Sequence, residues 1–224
     1  MSFLPFTTAQ AASHRLLDVR APETRLDQPL SGAEPLNLSD VAHLPAQQAS
    51  LADVPLDPPL RPTDTIVVTD DAMGQAAART AWTLLHLGAR HITLFDPDGT
   101  HDAARPAADG NPVRADGDWV HAHLHDPNVV FLDVRGEVER NAGMLPGAVA
   151  WNWTGGLNGA GGFNASQAAH NDLLRAGVRQ DATVVTYCQS GLRAAHTFWL
   201  LRALGWRDVR LYEGSWADWQ ERQS

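Results

Sequence analysis

Thr183-Val184-Val185-Thr186-Tyr187-Cys188-Gln189-Ser190-Gly191-Leu192-Arg193 decides how the rest of the chain is read. Its first five residues are the apolar, β-branched run that a buried strand requires. From Ala194 to Leu204 follows a helix-like segment that stops at Gly205. Between them sits Cys188, the only cysteine among 224 residues. The thiol therefore falls where a strand ends, a short glycine-containing loop turns and a helix begins. The first N–H groups of a helix lack intrahelical partners, and the helix dipole adds positive potential there. Gly191 lets successive N–H groups aim inward, as in an anion nest. Arg193 brings a fixed cation, and Gln189 and Ser190 add hydrogen-bonding groups. This is a place suited to a sulfur nucleophile. A strand-end cysteine is more often a small buried hydrophobe, but a loop of Ser, Gly and Arg is a poor setting for apolar burial.

Composition narrows the function. At 44% hydrophobic and 19% charged residues the chain is an ordinary globular protein, long enough for one large or two small domains. Its eight tryptophans add bulk to the core. A formal net charge of −9, with no run of Lys or Arg, argues against nucleic acid as a partner. One cysteine leaves no intrachain disulfide framework and suits a reducing compartment. Met1–Phe6 has neither the basic nor the long apolar region of a secretory signal. No apolar run approaches the roughly 20 residues that span a bilayer. The expectation is a cytoplasmic protein with no membrane attachment.

Outward from the quoted stretch, the first half of the chain repeats the second. Val67-Val68-Thr69 matches Val184-Val185-Thr186 at an offset of 117. At that offset Gly74 matches Gly191, Trp82 matches Trp199 and Leu87-Gly88 matches Leu204-Gly205. Ile92, Leu94 and Phe95 match Val209, Leu211 and Tyr212. Leu17-Asp18-Val19-Arg20 recurs as Leu132-Asp133-Val134-Arg135, and Ser31-Gly32-Ala33 echoes Pro146-Gly147-Ala148. Such regularity marks two copies of one βα pattern. Strands alternating with helices imply a mostly parallel sheet flanked by helices, with ligands bound at the carboxyl ends of strands. The predicted fold class is thus α/β, in two tandem domains. Residues 1–100 form the first copy, 101–117 a linker rich in Asp, Pro, Gly and Ala, and 118–224 the second copy. Asp71 stands where the second copy has Cys188, so only the second copy can perform thiol chemistry.

Spacing separates two anion chemistries. Cysteine phosphatases resemble Cys-x5-Arg, a cradle wide enough for a phosphoryl group. Here Cys188 and Arg193 are one residue closer, which suits a single added sulfur atom.

The second half resembles the rhodanese-like sulfurtransferases. The resemblance is carried by Leu132-Asp133-Val134-Arg135 and by Glu139 followed by Gly143-Met144-Leu145-Pro146-Gly147-Ala148. It is carried further by Tyr187 to Arg193 and by Tyr212-Glu213-Gly214-Ser215-Trp216-Ala217-Asp218-Trp219. Met144 stands where that family usually has His, and the loop ends in Arg193 where the best-known two-domain members have Thr. The resemblance implies tandem rhodanese-like domains, the first a degenerate, non-catalytic copy. It implies a thiosulfate sulfurtransferase, or a 3-mercaptopyruvate sulfurtransferase in the alternative, working through a persulfide on Cys188. The acceptor would be cyanide, a small thiol or a thioredoxin-like or other thiol protein. No cofactor and no metal is implied. A non-enzymatic persulfide carrier or regulatory module is the competing class.

By position, Cys188 is the nucleophile, and the backbone of Gln189, Ser190, Gly191, Leu192 and Arg193 holds the persulfide. Arg193 attracts the anionic donor, and its charge favours thiosulfate. Arg140 and Trp216 are further substrate-binding candidates; an exposed helix residue and a core ring are the plainer readings. Asp133 and Arg135 brace the loop as an internal pair. Trp151 and Trp153 are expected to pack between layers or domains. His121 and His125 share helical spacing, but no third ligand accompanies them, so a solvated helix face is the expectation.

Overall fold

The computed structural model describes residues 14–71, 73–96, 99–103, 112–158 and 163–223. They gather into two compact units, one drawn from residues 1–108 and the other from 109–158 together with 163–224.

In the first unit, β1 (Arg15–Asp18), β2 (Ala33–Pro35), β3 (Thr65–Thr69), β4 (His91–Asp96) and β5 (Gly99–Ala103) form one sheet in the order β2-β1-β3-β4-β5. The first four are parallel, and β5 joins β4 antiparallel. Leu16, Leu17, Ile66, Val67 and Val68 are all buried, as a parallel strand covered on both faces requires. Helices α1 (Pro22–Asp27) and α2 (Leu38–Val41) are short; α3 (Gln75–His86) packs on β3 and β4. It buries Ala77, Ala78, Ala81, Trp82 and Leu84.

The second unit repeats the arrangement. Strands β6 (Val129–Asp133), β7 (Val149–Ala150), β8 (Thr183–Tyr187) and β9 (Val209–Leu211) are all parallel, in the order β7-β6-β8-β9. Its helices are α4 (Gly117–Ala122), α5 (Glu137–Asn141), α6 (Gln167–Ala176), α7 (Leu192–Ala203) and α8 (Ser215–Gln223). The Asp116 carboxylate caps α4 by accepting from the Trp119 N–H at 2.9 Å, and the Ser166 hydroxyl caps α6 by accepting from the Ala169 N–H at 3.2 Å. Helix α7 buries every residue from Ala194 to Leu201, as a helix covered on all sides does. It packs on β8, β9 and the 3-10 turn Trp153–Gly156. Phe131, Leu145, Tyr187, Tyr212 and Trp219 form the core beneath the end of β8. The α/β class and the shared strand order of the two copies are as the sequence repeat implies.

Two details differ from the sequence reading. The linker expected over 101–117 contains structure at both ends. Residues up to Ala103 belong to β5, and Val113 and Ala115 are buried beside β9. There the Leu211 N–H donates to the Val113 carbonyl at 2.9 Å, and the Ala115 N–H to the Leu211 carbonyl at 3.0 Å. Val113 and Ala115 alternate inward with period two, a signal too short to stand out from its polar surroundings. Residues 104–111 lie outside the described residues. The second difference concerns His121 and His125. Helix α4 ends at Ala122, so they do not share a helix face.

Candidate active site

Strand β8 delivers Tyr187 to the core and Cys188 to its carboxyl end. Gly191 adopts φ +92°, turning the chain into α7. In that conformation the Gly191 N–H points back and donates to Cys188 Sγ at 3.1 Å. Cys188 is only 1% exposed, next to exposed Gln189 and Ser190. Its burial includes a polar contact, since the sulfur meets a backbone donor.

The start of α8 holds the loop from the other side. The Cys188 and Gln189 carbonyls accept from the Trp216 and Ala217 N–H groups at 3.0 and 3.1 Å. These are first-turn donors that the helix itself leaves unused. The Cys188 N–H donates to Ser215 Oγ at 3.2 Å, and Ser215 Oγ donates to the Tyr212 carbonyl at 2.8 Å. Ser215 is buried, with φ +55°. Sequence reasoning placed it only inside a signature. A serine opening the helical run Trp216 to Trp219 was the available sign that it organises a helix start.

Arg193, expected to face an anionic donor, is engaged. Its Nη1 and Nη2 donate to Glu139 Oε2 and Oε1, each at 2.7 Å. Glu139 also accepts from the Gly136 N–H at 3.1 Å, which caps α5. Arg193, with the Gly136 N–H, holds the Glu139 carboxyl down at about 2 against the opposing effect of burial.

Arg135 and Asp133 form an internal ion pair. They are 1% and 0% exposed and meet at 2.6 Å. Arg135 Nη2 donates onward to the Gly143 carbonyl at 2.6 Å, and its guanidinium lies 4.5 Å from the Trp216 ring centroid. Trp216 thus touches both groups of residues, its ring on Arg135 and its N–H on the Cys188 carbonyl. Arg140 donates to the Arg135 carbonyl. The Tyr187 hydroxyl accepts from the Leu145 N–H at 3.1 Å, and burial pushes its ionisation up, so it stays neutral. Leu192 is half-buried at the start of α7. Trp151 donates to Asp172 at 2.9 Å, and the Trp153 and His196 rings meet edge to face with centroids 5.5 Å apart.

The first unit keeps the Asp–Arg pair and lacks a cysteine. Asp18 and Arg20 pair at 2.7 Å, and Arg20 reaches the Gln28 carbonyl as Arg135 reaches Gly143. Its loop is closed by Asp70, whose carboxylate accepts from the Gly74 and Ala77 N–H groups, each at 2.9 Å. Asp71, at the place of Cys188, is exposed and accepts from the Thr24 hydroxyl. Among the described residues no cluster of His, Cys, Asp and Glu could hold a metal ion, and no helix is long and apolar enough to cross a membrane.

The geometry can be set beside known proteins. Residues 116–222 match the rhodanese-like domain family. The chain is 29% identical over 183 residues to the thiosulfate sulfurtransferase of Pseudomonas aeruginosa, covering 71% of this chain and 68% of that one. It is 32% identical over 190 residues to a probable 3-mercaptopyruvate sulfurtransferase of the same organism, covering 71% and 66%. Among solved structures, YnjE has a TM-score of 0.70 at 20% identity, with 96% of this chain and 62% of that chain covered. An anaerobic ergothioneine biosynthesis enzyme from Chlorobium limicola, solved with trimethyl histidine, has a TM-score of 0.74 at 14% identity, covering 93% and 62%. The chain thus spans about two thirds of the length of these sulfurtransferases and less of the solved structures. The loop at the end of β8, the repeated sheet order and these matches agree: residues 116–222 of this chain belong to the rhodanese-like domain family.

Proposed function

We propose that the chain transfers a sulfane sulfur from an anionic donor to a thiophilic acceptor through a persulfide on Cys188. The observation that carries this reading is the Gly191 N–H aimed at Cys188 Sγ, at the start of a helix. The Cys188 thiolate attacks the outer sulfur of thiosulfate. The new S–S bond forms as the old one breaks, and its electron pair leaves with sulfite. With 3-mercaptopyruvate the C–S bond breaks instead, and the thiol proton ends on the carbon of pyruvate. In either case the sulfur held on Cys188 carries the negative charge, which backbone donors stabilise in the manner of an oxyanion hole. Cyanide then takes the outer sulfur as thiocyanate and returns the thiolate, a ping-pong cycle. A small thiol or a thiol protein takes it in the same way. The second copy, 118–224, is the catalytic one, and the first, with Asp71 at the cysteine position, is the degenerate copy. A thiolate nucleophile suits a reducing compartment such as the cytoplasm.

The test is to incubate the protein with thiosulfate or 3-mercaptopyruvate, measure its mass, then add cyanide and follow thiocyanate. One added sulfur on Cys188, lost on adding cyanide, is the expected result. Cys188→Ser, which is nearly isosteric, should keep the fold and lose both signals. Sulfur loading without turnover would identify a carrier instead. No loading from either donor would sink both readings.

A further inference from the structure

We propose that Glu139 sets the charge of the donor, favouring a singly charged organic thiol acid over doubly charged thiosulfate. This rests on the sulfurtransferase reading above and deepens it. Arg193 is the only charged residue in the loop, and its two terminal nitrogens both bind Glu139 at 2.7 Å. Such a fork-to-fork pair fixes the guanidinium and cancels its charge. Arg135 is cancelled in the same way by Asp133. Helix α5 adds Glu137 and Arg140, which offset each other. Arg193 also interacts with Cys188, but paired with Glu139 it brings no net positive charge to a donor nearing the thiol. The attacking sulfur is itself anionic, so each further charge on the donor adds repulsion. Thiosulfate carries two and 3-mercaptopyruvate one.

The repeat supplies an independent argument. In the first unit Thr24 holds the position of Glu139 and Ala76 that of Arg193. The same glycine turn is nevertheless built there, with Gly74 at φ +74°. There the Asp70 carboxylate closes the turn on the Gly74 and Ala77 N–H groups, so the fold has a way to hold this turn without an Arg–Glu pair. The two charges occur together, and only beside the thiol.

The experiment compares kcat/KM for thiosulfate and 3-mercaptopyruvate, with cyanide as acceptor, at low and high salt. Proteins compared are the wild type, Glu139→Gln, the double variant Glu139→Gln with Arg193→Gln, and Glu137→Gln as a charge control on the exposed face. Removing the Glu139 charge should raise the thiosulfate to 3-mercaptopyruvate ratio by about tenfold at low salt, through KM, and by much less at high salt. The double variant restores a neutral loop and should return the ratio towards that of the wild type. Glu137→Gln should change the ratio by less than about twofold at high salt, where exposed charges are screened. An equal loss with both donors in Glu139→Gln would mean a structural role and overturn the proposal. So would a wild type that prefers thiosulfate. Should Glu139→Gln fail to fold, the wild type still decides: a steep fall of its thiosulfate kcat/KM with salt would reveal a net cation and overturn the proposal. If neither donor loads sulfur onto Cys188, the sulfurtransferase reading falls first, and the mass measurement shows it.

Discussion

Gly191 gives its N–H to Cys188 Sγ at 3.1 Å, while a Cβ built on Gly191 would stand 2.7 Å from the Glu213 carbonyl oxygen. The donor that meets the sulfur and the backbone ceiling above it are thus fixed at one residue. Gly191→Ala must adopt φ +92° against a carbonyl that cannot swing away as a side chain can. We expect a loss of about 1–3 kcal/mol of stability, seen as an earlier urea midpoint. Sulfur loading of Cys188 should fall further than stability does. An alanine variant that loads sulfur at the wild-type rate would refute this assignment of the N–H.

Ser215 accepts from the Cys188 N–H, and its replacement leaves that buried donor without a partner. Ser215→Ala should cost about 1–3 kcal/mol. Ser215→Gly loses the same hydroxyl but suits φ +55° better, so it should melt above Ser215→Ala while loading sulfur as poorly. Thermal melts and intact mass separate the two effects. Equal melting of the two variants would show that backbone strain plays no part.

Asp133 and Arg135 are fully desolvated, so the change Asp133→Asn strands a buried cation. The expected cost is about 3–5 kcal/mol, far above that of an exposed pair. Chemical denaturation followed by tryptophan fluorescence reads it, because Trp216 lies on Arg135. A shift no larger than that of the exposed pair change Asp181→Asn, whose partner is Arg179, would count against a bracing role.

The Glu139 carboxyl is held at about 2 in the folded chain, against an ordinary 4.5. A depressed carboxyl contributes stability that is complete above the unfolded value and fades as pH falls through the folded one. The melting advantage of wild type over Glu139→Gln should therefore be full at neutral pH and shrink between about pH 4.5 and 2. The pair is partly solvated, so the advantage will be modest and sensitive to salt. A gap that stays constant down to pH 2 would show that the carboxylate charge is not its source.

The sequence carried the local and periodic part of this structure. The repeat of Val67-Val68-Thr69 and Val184-Val185-Thr186 implied matching parallel sheets. Cys188 and Gly191 are three residues apart in one turn, so their meeting was legible from spacing. The Asp133–Arg135 pair was legible for the same reason. What escaped depends on how distant segments come together. Ser215 lies 27 residues from Cys188 and Glu139 lies 54 from Arg193. Nothing in the spacing of the loop announces either partner. Arg193 was accordingly read as a free cation for the donor, when the fold gives it a carboxylate. Val113 and Ala115 escaped because two inward residues are too few to register as a strand.

Asp70 places a carboxylate on the Gly74 and Ala77 N–H groups, at the same turn where the second copy holds sulfur on Gly191. The architecture that the two copies share is therefore a turn whose N–H groups receive an acceptor atom. In the first copy the acceptor is built into the chain and never leaves. In the second the Cys188 sulfur takes that place; if it carries a further sulfur as proposed, that turn alone must stay folded both with and without its cargo.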